Sequence, residues 1–232
     1  MTPQVEIADF IAGARGARGL AVIIDVFRAF SVTCYATAGG VGKIHPVAAT
    51  EDALALKREH PDWLLAGERH ARRLAGFDFG NSPTEIQAAD LVGRTLVHTT
   101  HAGTQGLRAA SAADAVITGS LVNAGAICRY ILAQRPAIVT LVRMGHEARE
   151  RCAEDDLCAE LIRARLTGAA FDVAGIRERL RDAPSARKFF DPEAWWAPET
   201  DFELCTRVDR FDFILRLVDS AGALPWLEPS PA

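Results

Sequence analysis

Short apolar runs alternate with helix-patterned segments from Leu20 to about residue 167, and this alternation constrains the fold more than any other feature. Residues 20–26, 43–48, 63–66, 95–99, 115–118 and 137–144 read as strands: each is short, apolar and closed by polar or turn residues. Between them, 28–38, 50–60, 104–112, 121–134 and 153–166 carry helical spacing. Ser82-Pro83-Thr84-Glu85 is a further helix start, with Ser82 as cap, Pro83 at the first helical position and Glu85 completing a capping box. Thr50 reads as another N-cap. Strand–helix alternation at crossover spacing predicts a three-layer α/β/α fold with a mostly parallel sheet, built as a single domain over 1–232. After Gly168 the pattern changes. The expectation there is a C-terminal helical wrap through 201–218 that covers the sheet, with a frayed tail at Pro229-Ser230-Pro231-Ala232.

Charge and composition exclude several function classes. Lys+Arg total 26 and Asp+Glu 30, a net charge of −4, which disfavours a nucleic-acid binder. No apolar stretch is long enough to span a membrane, and Met1–Phe10 carries acids without a basic n-region, so no signal peptide is expected. Five cysteines without a CxxC pair read as small core residues in a reducing cytoplasm. A homodimer is compatible with the sequence, although no heptad or exposed stripe specifies it.

Polar residues gather just after the predicted strands. Asp25-Val26-Phe27-Arg28 follows the first. Gly67-Glu68-Arg69 follows the third and leads to Gly80-Asn81-Ser82-Pro83. Thr99-Thr100-His101-Ala102-Gly103-Thr104 follows the fourth, and Gly119-Ser120-Leu121-Val122-Asn123 the fifth. The last strand leads to Met144-Gly145-His146, with Glu154-Asp155-Asp156 opening the next helix. In a parallel sheet these ends share one edge, where ligands bind. Hydroxyls, glycines and helix N-termini suit a phosphate-like anion. Arginine adds bidentate charge, and hard carboxylates suit Mg²⁺. Each piece has a plainer reading: Asp25 can cap a helix, Ser82-Pro83 can simply start one, Glu154 and Asp155 can complement a helix dipole, and Arg69 can lie on the surface.

Other motifs fail. Gly42-Lys43 lacks the first P-loop glycine and precedes a strand. No cysteine has an arginine six residues later, and no G-x-S-x-G elbow exists. Arg69-His70-Ala71 is a three-residue match to the start of a histidine phosphatase and leaves a metal-independent phosphatase using His70 as an alternative.

In order along the chain, the clusters resemble the 2-phosphosulfolactate phosphatase family. The matching pieces are Ile24-Asp25-Val26-Phe27-Arg28-Ala29, Ala66-Gly67-Glu68-Arg69, Gly76-Phe77-Asp78-Phe79-Gly80-Asn81-Ser82-Pro83, Thr99-Thr100 with Gly103-Thr104, Gly119 to Ala124, Glu154-Asp155 with Cys158-Ala159, and Cys205 to Asp209. The resemblance implies Mg²⁺-dependent hydrolysis of 2-phosphosulfolactate to sulfolactate and phosphate, on a route to coenzyme M. The chain departs from the family pattern at His101-Ala102, at His70-Ala71-Arg72-Arg73 and across His146 to Arg151, all in loops expected to contact substrate.

These readings assign roles. Asp25, Glu154 and Asp155 would hold Mg²⁺, with Asp25 either ligand or nucleophile. Arg28 and Arg69 would neutralise the phosphoryl oxygens. Glu68 would orient a water or protonate the leaving oxygen. Asn81, Ser82, Thr99, Thr100, Gly103, Thr104 and Asn123 would bind the small phosphomonoester. His101, Arg72 and Arg73 are candidates for its sulfonate and carboxylate. A catalytically altered anion-binding module is the other alternative.

Overall fold

The computed structural model describes residues 3–220 and 223–232. It is an α/β protein whose ten-stranded sheet is flanked by helices on both faces. In chain order the elements are β1 (Gln4–Asp9), α1 (Phe10–Arg15), β2 (Leu20–Ile24), α2 (Ala29–Ala38), β3 (Lys43–Pro46), α3 (Thr50–Glu59), β4 (Leu64–Arg69), β5 (Arg72–Arg73), α4 (Pro83–Ala88), β6 (Thr95–Thr99), α5 (Gly103–Ala109), β7 (Ala115–Gly119), α6 (Ala124–Gln134), β8 (Ile138–Arg143), α7 (Ala153–Thr167), α8 (Ile176–Arg181), α9 (Glu199–Cys205), β9 (Phe213–Val218) and β10 (Trp226–Pro231). Short 3₁₀ turns cover Leu121–Asn123 and Pro184–Phe189.

The strand order is β1-β8-β2-β7-β9-β10-β3-β6-β4-β5. Two parallel blocks, β1-β8-β2-β7 and β3-β6-β4, result. The antiparallel hairpin β9–β10 lies between them, meeting β7 through Ile117–Arg216 and β3 through Leu227–Ile44.

Strand β2 explains why the sheet is covered on both sides. All five of its residues are buried. Ala21 and Ile23 pack in one core, and Leu20, Val22 and Ile24 in another. The period-2 alternation of a strand therefore sends apolar side chains to both faces, and each face needs a helical layer. Helix α2 is buried all round from Ala29 to Ala36, with the hydroxyls of Ser31 and Thr33 bonded to backbone carbonyls, so it too is enclosed.

The predicted strands and helices fall where the alternation puts them, with ends shifted by a few residues. Four details differ. Thr50 is the first residue of α3, and Ala49 precedes it without a side-chain cap. Glu85 Oε2 accepts from Gly80 N at 2.7 Å, while Ser82 caps α4 by accepting from Glu85 N. The expected helical wrap is real over α8, the second 3₁₀ turn and α9, which pack on the β2–α7 core. Its continuation, however, is strand β9, and the tail expected to fray is β10, paired along Trp226–Pro231. The apolar Phe213, Ile214, Leu215 and Leu217 fit a strand as well as a helix, and the antiparallel partner decides between them. Strands β1 and β5 were not anticipated.

Asp201, in the first turn of α9, ties this C-terminal part to the rest. It pairs with Arg28 Nη1 at 2.6 Å, and both side chains are essentially inaccessible, at 0% and 2%. Its other oxygen accepts from Ser82 Oγ at 2.8 Å and Thr84 N at 3.0 Å. Asp201→Asn strands the Arg28 charge in the interior, so urea unfolding should show a loss of about 3–5 kcal/mol with little change in m.

Candidate active site

A cleft open to solvent collects the polar ends of β2, β4, β6 and β8. Four buried carboxylates line it, Asp25, Glu68, Glu154 and Asp155, together with the more exposed Glu147. Asn81, His70, His101 and Lys188 join them.

Each acid is held differently. Asp25 follows β2, and its Oδ1 accepts from Ala29 N at 3.4 Å, the capping role open to it from the sequence. Its other oxygen lies against Gly103, where a Cβ would come within 2.8 Å. A side chain at 103 would therefore displace the carboxylate, which is why glycine opens α5. Glu68, on β4, accepts from Ala71 N through Oε2 and from His101 N through Oε1, both at 2.8 Å. Asp155, in the first turn of α7, accepts from Val26 N at 2.9 Å and Gly145 N at 2.8 Å. It thereby joins the ends of β2 and β8. Gly145 is required in that turn, since its φ is +64° and a Cβ would meet Glu150 O at 2.2 Å. Glu154 accepts from Ser185 Oγ at 2.5 Å.

So much negative charge in a buried space changes the acids. Burial pushes the Asp25 carboxyl up to about 7. The charges of Glu68 and Glu154 add to this, and N–H donors from Ala29 and Gly103 oppose it. Burial, followed by the charges of Asp25 and Glu154, drives Asp155 well above the usual carboxylate range. Burial also lowers Lys188, with Arg28 reinforcing the effect and Glu154, Glu68 and Asp25 countering it.

The other sequence candidates divide. Asn81 lines the cleft and is steadied by His98, whose Nε2 lies 3.2 Å from Asn81 Oδ1. Burial pushes His98 down to about 4 and keeps it neutral. Arg28 reaches the cleft, but its guanidinium is engaged by Asp201, Trp196 O and Ala71 O. Arg69 turns to Glu68 O, Ala48 O and Thr99 Oγ1. Thr100 and Thr104 bond each other across the start of α5, and Thr99 also reaches Ala48 O. Ser82 serves Asp201 and the α4 cap. Asn123 closes a capping box with Ser120 and donates to Phe213 O, holding β9 rather than facing the cleft. Arg72 stacks on Trp196, 3.9 Å from the ring centroid, and with Arg73 lines a neighbouring depression.

A family model described as 2-phosphosulpholactate phosphatase matches residues 7–220. The chain belongs to that family. A protein of Bacillus subtilis (strain 168) named probable 2-phosphosulfolactate phosphatase is 31% identical over 212 residues, 89% of this chain and 90% of its own length. Proteins of the same name from Symbiobacterium thermophilum and Deinococcus radiodurans are 36% identical over 151 residues and 39% over 131. These alignments cover 64% of both chains in the first case, and 56% of this chain and 55% of the relative in the second. The chain is accordingly a phosphatase, a phosphoric monoester hydrolase. Among its described residues no helix is long and apolar enough to cross a membrane.

Sequence reasoning about this phosphatase missed Asp201, Ser185 and Lys188. Asp201 and Ser185 carried no signal, because neither follows a predicted strand. Lys188 did carry one. Lysine occurs only at 43, 57 and 188 in this arginine-rich chain, so each retained lysine stands out.

The raised Asp25 has a consequence for stability. Its carboxyl binds a proton more tightly in the folded chain than at the ordinary value of 3.8. Its contribution to stability is therefore full below about pH 4 and is lost as pH rises through about 7. In EDTA, the melting temperature of the parent protein should fall relative to that of Asp25→Asn across this interval. Parallel curves would remove Asp25 as the cause.

Proposed function

We propose that this chain is a Mg²⁺-dependent phosphatase for 2-phosphosulfolactate or a similarly small acidic phosphomonoester. The observation that carries the reading is the convergence of Asp25, Glu68, Glu154 and Asp155 on one cleft together with Lys188. The relatives' names support the substrate class.

The donor set fits Mg²⁺: Asp25, Glu154 and Asp155 offer only hard oxygens, and their crowded charge calls for a cation. Asp25 and Glu154 would hold it, with Asp155 fixed beside them by two backbone N–H groups. The ion, when bound, neutralises charge on the phosphoryl oxygens. Lys188 takes the electrostatic role first given to Arg28 and Arg69. Its ammonium makes no hydrogen bond or ion pair among the described residues, whereas both arginines are engaged within the protein. Glu68, with both oxygens fixed by N–H donors, retains lone pairs with which to orient a water and accept its proton. Asn81, steadied by His98, offers its amide N–H group to the ester.

The histidine-phosphatase reading has less support. His70 is exposed and bonded to Glu147, and neither neighbouring arginine is free to receive the phosphoryl group.

Phosphate release from racemic 2-phosphosulfolactate and a phosphomonoester panel, with Mg²⁺ and with EDTA, tests the proposal. Release should require Mg²⁺ and be abolished by Asp25→Asn. Equal release in EDTA would overturn the metal requirement. Release only from another ester would move the substrate. Lys188→Met should lower kcat/KM about tenfold or more, the scale of one charge-assisted hydrogen bond.

A further inference from the structure

We propose that His70, His101 and Glu147 form a second metal site at the mouth of the cleft, selective for a divalent transition ion of the zinc type. The three residues come from separate loops: after β4, after β6 and after β8. Each offers one ligand atom, and these atoms all lie within 4.8 Å of one another. Tetrahedral coordination at zinc–ligand distances places ligand atoms about 3.4 Å apart, so modest side-chain rotation closes the set.

The chemistry of the donors separates this site from the acidic one. Two imidazoles and one carboxylate suit zinc and its neighbours, whereas Mg²⁺ prefers oxygen alone. Three protein ligands also leave a coordination position open, as in zinc sites that bind water or an anion.

Two observations argue against a plain surface ion pair. His70 Nδ1 lies 2.5 Å from Glu147 Oε1, a contact that by itself would need nothing else. The His101 ring nevertheless stands edge-on to His70, with centroids 5.4 Å apart. Its Nδ1 is buried and has no hydrogen-bond partner among the described residues. A buried ring nitrogen left unpaired carries a desolvation cost that a ligand would relieve.

The test is a titration of tag-free, chelator-stripped protein with Co²⁺ and with Zn²⁺ in excess Mg²⁺. Co²⁺ reports nitrogen ligation through its visible d–d absorption, and Zn²⁺ binding is read by calorimetry. One equivalent of each ion should bind, with the absorption of a low-coordinate imidazole complex. His70→Ala and Glu147→Gln should each weaken binding at least about tenfold, since even the outer partners of metal ligands act on that scale. His70 is exposed, so its variant spares the core, and circular dichroism checks the fold of both. Asp25→Asn should retain the site. Failure to bind in excess Mg²⁺, or binding that survives His70→Ala, overturns the proposal. So does binding that disappears in Asp25→Asn, because the ion would then occupy the acidic site. None of these readouts depends on turnover, so they stand apart from the phosphatase assay.

Discussion

The buried pair between Arg28 and Asp201 is the constraint on which the rest of the site depends. Two charges this deep cost several kcal/mol each to desolvate, and the arrangement is supported by further hydrogen bonds to both partners. Asp201 also receives Ser82 Oγ and Thr84 N, and Arg28 also donates to Trp196 O and Ala71 O. Ala71 is thereby held from both ends, since its N–H donates to Glu68. Glu68 in turn receives His101 N. One unbroken line of hydrogen bonds runs from the C-terminal helix through Arg28 and the β4–β5 hairpin to the loop after β6. A carboxylate in that line cannot drift without moving several backbone segments, and this is the rigidity that a reacting group needs.

The same line explains why Arg28 looked like a phosphate ligand from the sequence. An arginine three residues past a strand-end aspartate sits in the right place, and place was all the sequence offered. The partner that fixes its charge lies 173 residues away, in the first turn of α9. The acids were legible for the opposite reason. Asp25, Glu68, Glu154 and Asp155 stand at the carboxyl ends of strands or in the first turn of the following helix, so the parallel rule alone carries them to one edge. The three-layer fold was legible because β2 and its neighbours are apolar on both faces. The C-terminal hairpin was not, because a short, mostly apolar stretch such as Phe213–Val218 becomes strand or helix according to the neighbour it finds. Asn123 illustrates the same limit: it follows β7 as expected, yet its amide is used on β9.

The four acids gain different properties from differing amounts of backbone support. Asp155 and Glu68 each receive two N–H donors and act as fixed struts. Asp25 receives a long bond from Ala29, with the Gly103 N–H beside it, and so is held less tightly than those two and keeps oxygen surface for a ligand. That asymmetry lets one cluster combine positioning and chemistry. If all four were equally satisfied, little would be left to hold an ion; if none were, mutual repulsion would spread them apart.

The cleft draws on both parallel blocks. Asp25, Gly145, Glu154 and Asp155 come from the β1-β8-β2-β7 side, while Glu68, Asn81 and His101 come from the β3-β6-β4 side. Between the blocks lies the β9–β10 hairpin, made from the last strands of the chain and joined to each block by a single residue pair. Neither block can present the full set of groups alone, and the strands that join them are the last in the sequence. The site is therefore a property of the completed sheet. The link between Asp201 and Arg28 has the same logic, since it too makes the loop after the second strand wait for residues near the end of the chain.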